Sequence, residues 1–454
     1  MKRLYTSLLL AALAFGAAAQ TPRNSYFSEN MPLRHELNPA FAPEFGYVTV
    51  PTLGGIAVGA NANVGADNFL FKKNGEVVTG LHSSVGADEF LNGLKSHNYL
   101  EANLNLNIVS VGFKALGGFN TIGLNVKSTT STSLPYELFE FAKIGQVDGG
   151  PTSYDIKDTR VNSSNYVELA LGHSRAIGDK IRVGAKVKYV AGVAYADAHI
   201  EAINVAMSAD KWSVREQGRM FTTDALDIRY KQNGEIDDID TGSFGVAGNG
   251  LGFDFGVSYK LLDNLKLSAS LTDVGFISWK GSEATVNPDE FVYDGFHHLV
   301  ADKDPDGSSA LSREGDQLEE DLKKLVRFQN EDDASRTQSL QTMLNLAGEY
   351  SILNNKIGFG LLWSTRLGTP QKWTELMASA NFRPARWFNA TVNFSTSNLG
   401  HSLGALVNFC PRGFNFFVGT DYVPFKYSKE GIPLSRAKFN FVLGMAITFK
   451  HCRR

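Results

Sequence analysis

The sequence predicts an all-β chain: an antiparallel transmembrane β-barrel of about 14 strands, with a non-repetitive N-terminal segment ahead of the first strand. Three observations predict it. Apolar residues recur at every second position, short and long connections take turns along the chain, and an export signal precedes a chain without another long apolar run.

The export signal comes first. Lys2 and Arg3 precede an apolar stretch from Leu4 to Phe15, and Ala17-Ala18-Ala19 supplies small residues for cleavage. Residues 1–19 therefore read as a secretory signal, with the mature chain starting at Gln20. No later stretch approaches about eighteen consecutive apolar residues, so no spanning helix is expected. Composition agrees: 44 Gly, 31 Phe and 15 Tyr stand against 14 Pro. A net charge of -3 excludes a strongly basic nucleic-acid binder. Two cysteines, Cys410 and Cys452, are too few for a disulfide framework, and a bridge between them is left open.

The alternation is clearest at the end of the chain. Phe439, Phe441, Leu443, Met445, Ile447 and Phe449 share one face, with Asn440, Val442, Gly444, Ala446 and Thr448 on the other. EANLNLNI, KIRVGAKVKY, LGFDFGVSYK and RWFNATVNFS repeat the pattern. A period of two is the strand period. One greasy face and one small or polar face fit lipid outside and a lumen inside.

Connections supply the second test. Short turns fall at 115–118, 176–179, 261–264, 352–355, 383–386 and 411–413, and the links between them are longer. Outer-membrane barrels pair short periplasmic turns with long external loops, so the short turns are assigned to the periplasm and 281–340 to the outside. AHIEAINVAM and KWSVREQG set the strand count: sixteen if both span, fourteen if they project as a hairpin. Their thin apolar face favours fourteen. Trp212, Trp279, Trp363, Trp373 and Trp387 fall near strand ends, where interfacial aromatic girdles belong.

Residues 20–50 do not alternate. Three prolines within Pro32–Pro43 discourage a strand, and a barrel this wide leaves a lumen that wall side chains do not fill. This segment reads as a plug, with 51–450 as the barrel and 451–454 as a tail.

The core of that segment, LNPAFAP (Leu37–Pro43), resembles a signature of the long-chain fatty-acid transporter (FadL) superfamily. GFDFGVSYKLLDNLKLSASLTDVGFISW (252–279), SADKW (208–212) and KFNFVLGMAITF resemble an uncharacterised bacteroidete branch of it. The resemblance implies a fourteen-stranded outer-membrane barrel whose plug carries Asn38, Pro39 and Ala40. It also implies passive transport of a hydrophobic or amphiphilic small molecule, with no cofactor and no enzymatic step. The alternative within the same superfamily is a PorV-like structural or interaction barrel for surface export or cargo anchoring, docking a protein at its external loops. Expected partners are outer-membrane lipid and the barrel-assembly machinery. Two departures stand out: KHCRR follows Phe449, and 281–340 is longer than a minimal transporter needs.

Inward-facing charges are the candidate lumen lining: Lys127, Glu168, Arg182, Lys186, Lys188, Asp254, Glu349 and Arg366, with Lys260 and Lys266 beside them. In NLNLNIVSVGF the outward set runs Leu104, Leu106, Ile108, then continues as Val109, Val111, Phe113. That one-residue slip predicts a bulge within Ile108–Ser110. It is either an ordinary rim bulge or, by the resemblance, a lateral gate of Ile108, Val109 and Ser110.

DKDPDGSS alternates Asp302, Asp304 and Asp306 before Gly307, as a calcium loop would. Arg313 at the twelfth position excludes an EF-hand, leaving a weak calcium site or a solvated acidic turn. Leu318, Leu322, Leu325 and Val326 share one face of a short amphipathic helix. Ser174 in GHSRA lacks the strand-turn-helix of a nucleophile elbow, GVAGNGLG precedes a strand, and His297-His298 lack further ligands. None of these supports catalysis.

Overall fold

The computed structural model describes residues 22–43, 45–73, 76–147, 150–208, 211–230, 236–241, 245–286, 291–293, 328–368, 372–423 and 438–449. The signal segment, Asp302, Asp304 and Asp306, His297-His298, the 318–326 helix, Cys452 and the C-terminal tail lie outside them.

The first wall strand comes in two pieces, β1 (Gly46–Thr49) and β2 (Gly55–Ala62). A cap follows, made of the hairpin β3 (Leu70–Lys73) and β4 (Glu76–Thr79) and a short helix α1 (Ala87–Leu91). The wall resumes with β5 (His97–Ala115) and β6 (Gly118–Pro135). Helix α2 (Tyr136–Ile144) leads into the long pair β7 (Thr152–Ile177) and β8 (Ile181–Met207). Then come β9 (Trp212–Thr222), the separate hairpin β10 (Leu226–Tyr230) and β11 (Ile236–Thr241), and β12 (Gly248–Leu262). After β13 (Leu265–Val286), the short β14 (Phe291–Tyr293) pairs with β9 and β15 (Phe328–Ser339) with the upper part of β13, above the wall. Six wall strands follow β16 (Met343–Ile352): β17 (Ile357–Arg366), β18 (Trp373–Ala385), β19 (Phe388–Ser397), β20 (Gly400–Phe409), β21 (Phe414–Val423) and β22 (Lys438–Phe449).

Every neighbouring pair in the wall is antiparallel, and β22 pairs both with β21 and with the two pieces of the first strand. The ladder thus closes as a barrel of 14 strands. Closure gives each wall strand two hydrogen-bonded neighbours, as a hydrocarbon surrounding requires. β12 shows the sidedness: Leu251, Phe253, Phe255 and Val257 are exposed, whereas Asp254 between them is fully buried. Among the described residues no helix is long and apolar enough to cross a membrane; strands carry the apolar belt.

All six short turns lie at one end. At Leu116-Gly117 both central residues have positive φ (55° and 68°), the two-residue hairpin geometry that matches strand twist. The other end is taller. AHIEAINVAM continues β8, and KWSVREQG forms most of β9, which pairs with β8 from Ala196 to Met207. Below Gly192 the partner of β8 is β12 instead. These pieces project beyond the wall, which explains their thin apolar face.

The tryptophan girdle is corrected in part. Trp387 is half exposed beside the short-turn end, but Trp279 is fully buried. It stacks on Tyr195 at 5.1 Å and donates to Gln338 Oε1 at 3.0 Å. Trp373 is also buried, under the Arg23 guanidinium. Both face inward, so strand-end position alone misassigned their side. Cys410 is buried with Phe45, Tyr47 and Phe119 and is disulfide-bonded.

The outward register is testable at Leu361, exposed near the middle of β17. Leu361→Arg should destabilise the inserted barrel by about 2–4 kcal/mol, whereas Leu361→Phe should be tolerated. Urea titration in lipid vesicles, followed by heat-modifiable gel mobility, measures the difference.

Candidate functional site

Residues 22–43 and Phe45 lie inside the barrel, and Gly46 begins the wall at the short-turn end. Proline cannot serve a strand ladder, and the segment folds instead into two short 3₁₀ turns, Arg23–Phe27 and Pro32–Glu36. Several of its polar groups are bonded to the wall. The backbone amides of Arg23 and Asn24 donate to the Asp421 carboxylate at 2.8 Å, and Arg23 Nε pairs with Glu375 at 2.9 Å. Near the other end of the lumen, Arg383 donates to the Phe27 carbonyl at 2.7 Å and Lys266 pairs with Glu29 at 2.5 Å. Burial alone would push the Glu29 carboxyl up; Lys266 and Arg383 outweigh it and hold it at about 2.

Asn38, Pro39 and Ala40 form the tightest contact. The Asn38 amide donates to Tyr26 Oη and to the Ala269 carbonyl, each at 3.1 Å, while its oxygen accepts the Ala40 amide at 3.0 Å. The wall makes room by omission. Gly184 of β8 and Gly256 of β12 are cross-strand partners. A Cβ on Gly184 would overlap the Pro39 carbonyl, and one on Gly256 would overlap the Asn38 side chain. A pair of glycines therefore forms a seat for the plug backbone.

The predicted inward charges separate into groups. Lys127, Glu168, Lys188 and Asp254 meet in one cluster with Asp273, which sequence reasoning missed. Lys127 Nζ lies 2.9 Å from Glu168 and 3.2 Å from Asp273; Lys188 Nζ lies 2.6 Å from Asp273 and 2.8 Å from Asp254. Lys186 stands beside this cluster. Arg366 joins a different pair, 2.8 Å from Glu101, and Glu349 bonds Arg383. Lys266 and Lys260 lie toward the short-turn end, the latter 2.8 Å from Asp263. Arg182 lines a cavity near that end. Strict alternation would place Asp273 outside, but the β12–β13 register shifts between Phe253 and Phe255 and Asp273 has φ 56°. The bulge turns it inward.

Two cavities flank the plug. One of about 90 Å³ is lined by Lys127, Lys186 and Lys188 of the wall with Glu36 and Leu37 of the plug. The other, about 300 Å³, lies nearer the short turns against Arg34, Phe41, Arg182 and Lys266.

The wall itself is interrupted beside the plug. β5 and β6 shift register between Asn107 and Val109, leaving Ile108 unpaired. Opposite, residues 50–54 leave the ladder, and Pro51, Thr52 and Leu53 are exposed on the outside. The gap is stitched from several sides. Thr52 N donates to the Ile108 carbonyl at 3.0 Å, Val50 N to Met445 O at 3.0 Å, and Ser110 N to Thr49 Oγ1 at 2.6 Å. Inside, Leu33 of the plug presses on Gly55, and His35 Nε2 lies 2.5 Å from Tyr47 Oη, which meets Ser110 Oγ at 3.0 Å. Burial, reinforced by Lys186, holds the His35 imidazole well below its usual range. From Thr49 the chain of bonds runs through Asn107 and Asn125 to Glu168 of the charged cluster. Plug, wall interruption and cluster are one hydrogen-bonded network. Among the described residues no group of three potential ligands is placed to hold a metal.

Residues 39–421 match the family model of DUF5723, a family of unknown function. The chain belongs to that family. No curated protein matches it. Among solved structures, this DUF5723 barrel is similar to the Pseudomonas putida toluene transporter TodX, at 12% identity over 96% of both chains with a TM-score of 0.46. It is similar to the Ralstonia pickettii toluene transporter TbuX at 8% identity, over 93% of this chain and 95% of that one, with a TM-score of 0.45. A Pseudomonas aeruginosa FadL homologue aligns at 11% identity over 96% and 99%, with a TM-score of 0.39.

Removing the plug anchor should loosen the plug without undoing the barrel. Asn38→Ala in the DUF5723 barrel should cost about 1–3 kcal/mol, the usual penalty for partners left unbonded. Limited proteolysis of residues 22–45 in urea, with gel mobility as the barrel control, reads it. Acid should act through Glu29. A carboxyl with a depressed folded pKa adds stability that is present above pH 4.5 and lost as pH falls toward 2. Plug protection should therefore decline across that window, and Glu29→Gln should flatten the decline.

Proposed function

We propose that this protein is an outer-membrane channel that passes a small amphiphilic molecule passively, with residues 22–45 as its gate. The interruption of the wall directly behind the plug carries this reading. A polar lumen suits the solute's head, and the stretch around Ile108, Val109 and Ser110 offers its apolar part a side exit to lipid. Leu33 against Gly55 is the point where plug movement would open or close that exit. No catalytic step is assigned.

A second reading, a docking barrel, draws support from the projecting parts of β7, β8, β9 and β15, which give the tall end a sheet beyond the wall.

A photo-cross-linking residue at Leu33 separates them. Irradiation should tie the plug to the first strand and cut uptake of a fluorescent amphiphile into proteoliposomes, with barrel mobility unchanged. The same residue at exposed Val77 should leave uptake intact. Uptake indifferent to the Leu33 cross-link would reject the channel and favour docking.

A further inference from the structure

The short turns carry more than a hairpin needs. Leu116 and Leu353 stand at turn tips with φ of 55° and 52°, the left-handed region that glycine and asparagine occupy at least cost. Both side chains are bare, Leu116 84% exposed and Leu353 64%. Neither leucine gains packing against its own chain that would offset the strained backbone. Ile177 and Leu262, at two further turns, are more than half exposed as well.

The same turns are basic. Among the described residues Lys114, Arg175, Lys180, Lys356, Arg386 and Arg412 are exposed there. Two carboxylates, Asp179 and Asp263, are exposed beside them, and Asp263 is already engaged by Lys260 at 2.8 Å. The whole chain carries -3, so the positive excess belongs to this rim and not to the composition. Arg175 marks its height. The outward positions of β7 run Leu169, Leu171, His173, Arg175, so the cation follows closely on the apolar belt. Its guanidinium lies over Gly117, one residue from Leu116. Arg386 precedes Trp387, which is half exposed and stacks on Phe409 with ring centroids 6.3 Å apart. Cations adjoining a tryptophan or an apolar tip at the edge of the belt suit a headgroup boundary. There the ring and the alkyl stems lie in the apolar layer and the charge reaches phosphate.

We propose that the short-turn rim is a docking surface for anionic phospholipid, with Leu116 and Leu353 set into the headgroup layer and the Lys and Arg side chains around them on lipid phosphates. Short turns face the periplasm, so the lipid is that of the periplasmic leaflet. The turns that carry these groups join β5 to β6, β7 to β8, β12 to β13, β16 to β17, β18 to β19 and β20 to β21, and so lie around the whole circumference. A bilayer encircles the barrel and reaches all of them, whereas a globular partner would cover one sector. The surface is independent of what the lumen passes.

Spin-labelled lipids added to the full-length barrel in phosphatidylcholine vesicles measure the affinity of its perimeter for each headgroup. Labelled phosphatidylglycerol should be favoured over labelled phosphatidylcholine roughly fivefold, the effect of a single basic side chain near an anionic lipid surface. The preference should vanish at about 1 M salt, where screening is nearly complete. Combining Arg175→Gln, Lys356→Gln and Arg386→Gln should bring the two lipids level. Lys72→Gln with Lys157→Gln, both exposed at the tall end, should keep the wild-type ratio. Asparagine relieves left-handed strain, so Leu116→Asn with Leu353→Asn should fold at least as well in detergent, by heat-modifiable mobility, yet lower the lipid preference. This pair reads the surface even if the charge variant folds poorly. Equal association of both lipids with the wild type, or a preference that the triple variant leaves intact, would overturn the docking surface. Full preference in the asparagine variant would overturn the seating of the tips, and loss in the tall-end variant would place the lipid contact elsewhere.

Discussion

Backbone amides in hydrocarbon need partners, and only a closed ladder gives a strand two of them along its whole length. That constraint organises the rest of the molecule. Fourteen strands close the ladder, alternation follows because one face meets lipid, and the remaining face encloses more volume than wall side chains fill. The N-terminal segment occupies that volume. Because it is not a strand, its amides and carbonyls are satisfied partly within its own 3₁₀ turns and partly by wall side chains. The inner face is accordingly rich in Asn, Ser and Thr, with Asp421, Ser270 and Arg383 bonded directly to plug backbone.

The charged groups obey a second constraint. Carboxylates and ammonium groups this deeply buried persist when paired, since an unpaired ion forfeits its hydration. Arg366 with Glu101, Arg383 with Glu349, and Lys127 and Lys188 with three carboxylates all conform. Lys186, opposite Asp254 on the neighbouring strand, brings the positive charges beside those three carboxylates to three.

Much of the architecture was legible in the sequence, since a period of two is a local signal. The strand positions, the six short turns and the projection of AHIEAINVAM all follow from it. The slip at Ile108 was legible for the same reason: two outward residues stand in succession. Asp273 was hidden by the same kind of bulge, because Thr272 and Asp273 are adjacent and strict alternation sends only one of them inward. Trp279 and Trp373 were misplaced because strand-end position does not specify side. The glycine seat left no signal at all. Gly184 and Gly256 look like any small inward residues until the register pairs them and the plug arrives between them. Pairing across strands and plug docking are long-range facts, and no window of ten residues contains them.

The plug amides of Arg23 and Asn24 are held by Asp421, close to four hundred positions later in the chain. A segment ahead of the first wall strand thus receives one of its fasteners from β21, far along the chain. Long-range contacts of this span form late, because their loop-closure entropy is met only when the intervening structure is in place. A barrel lacking its last hairpin would therefore carry a loosely held plug, more open to proteolysis.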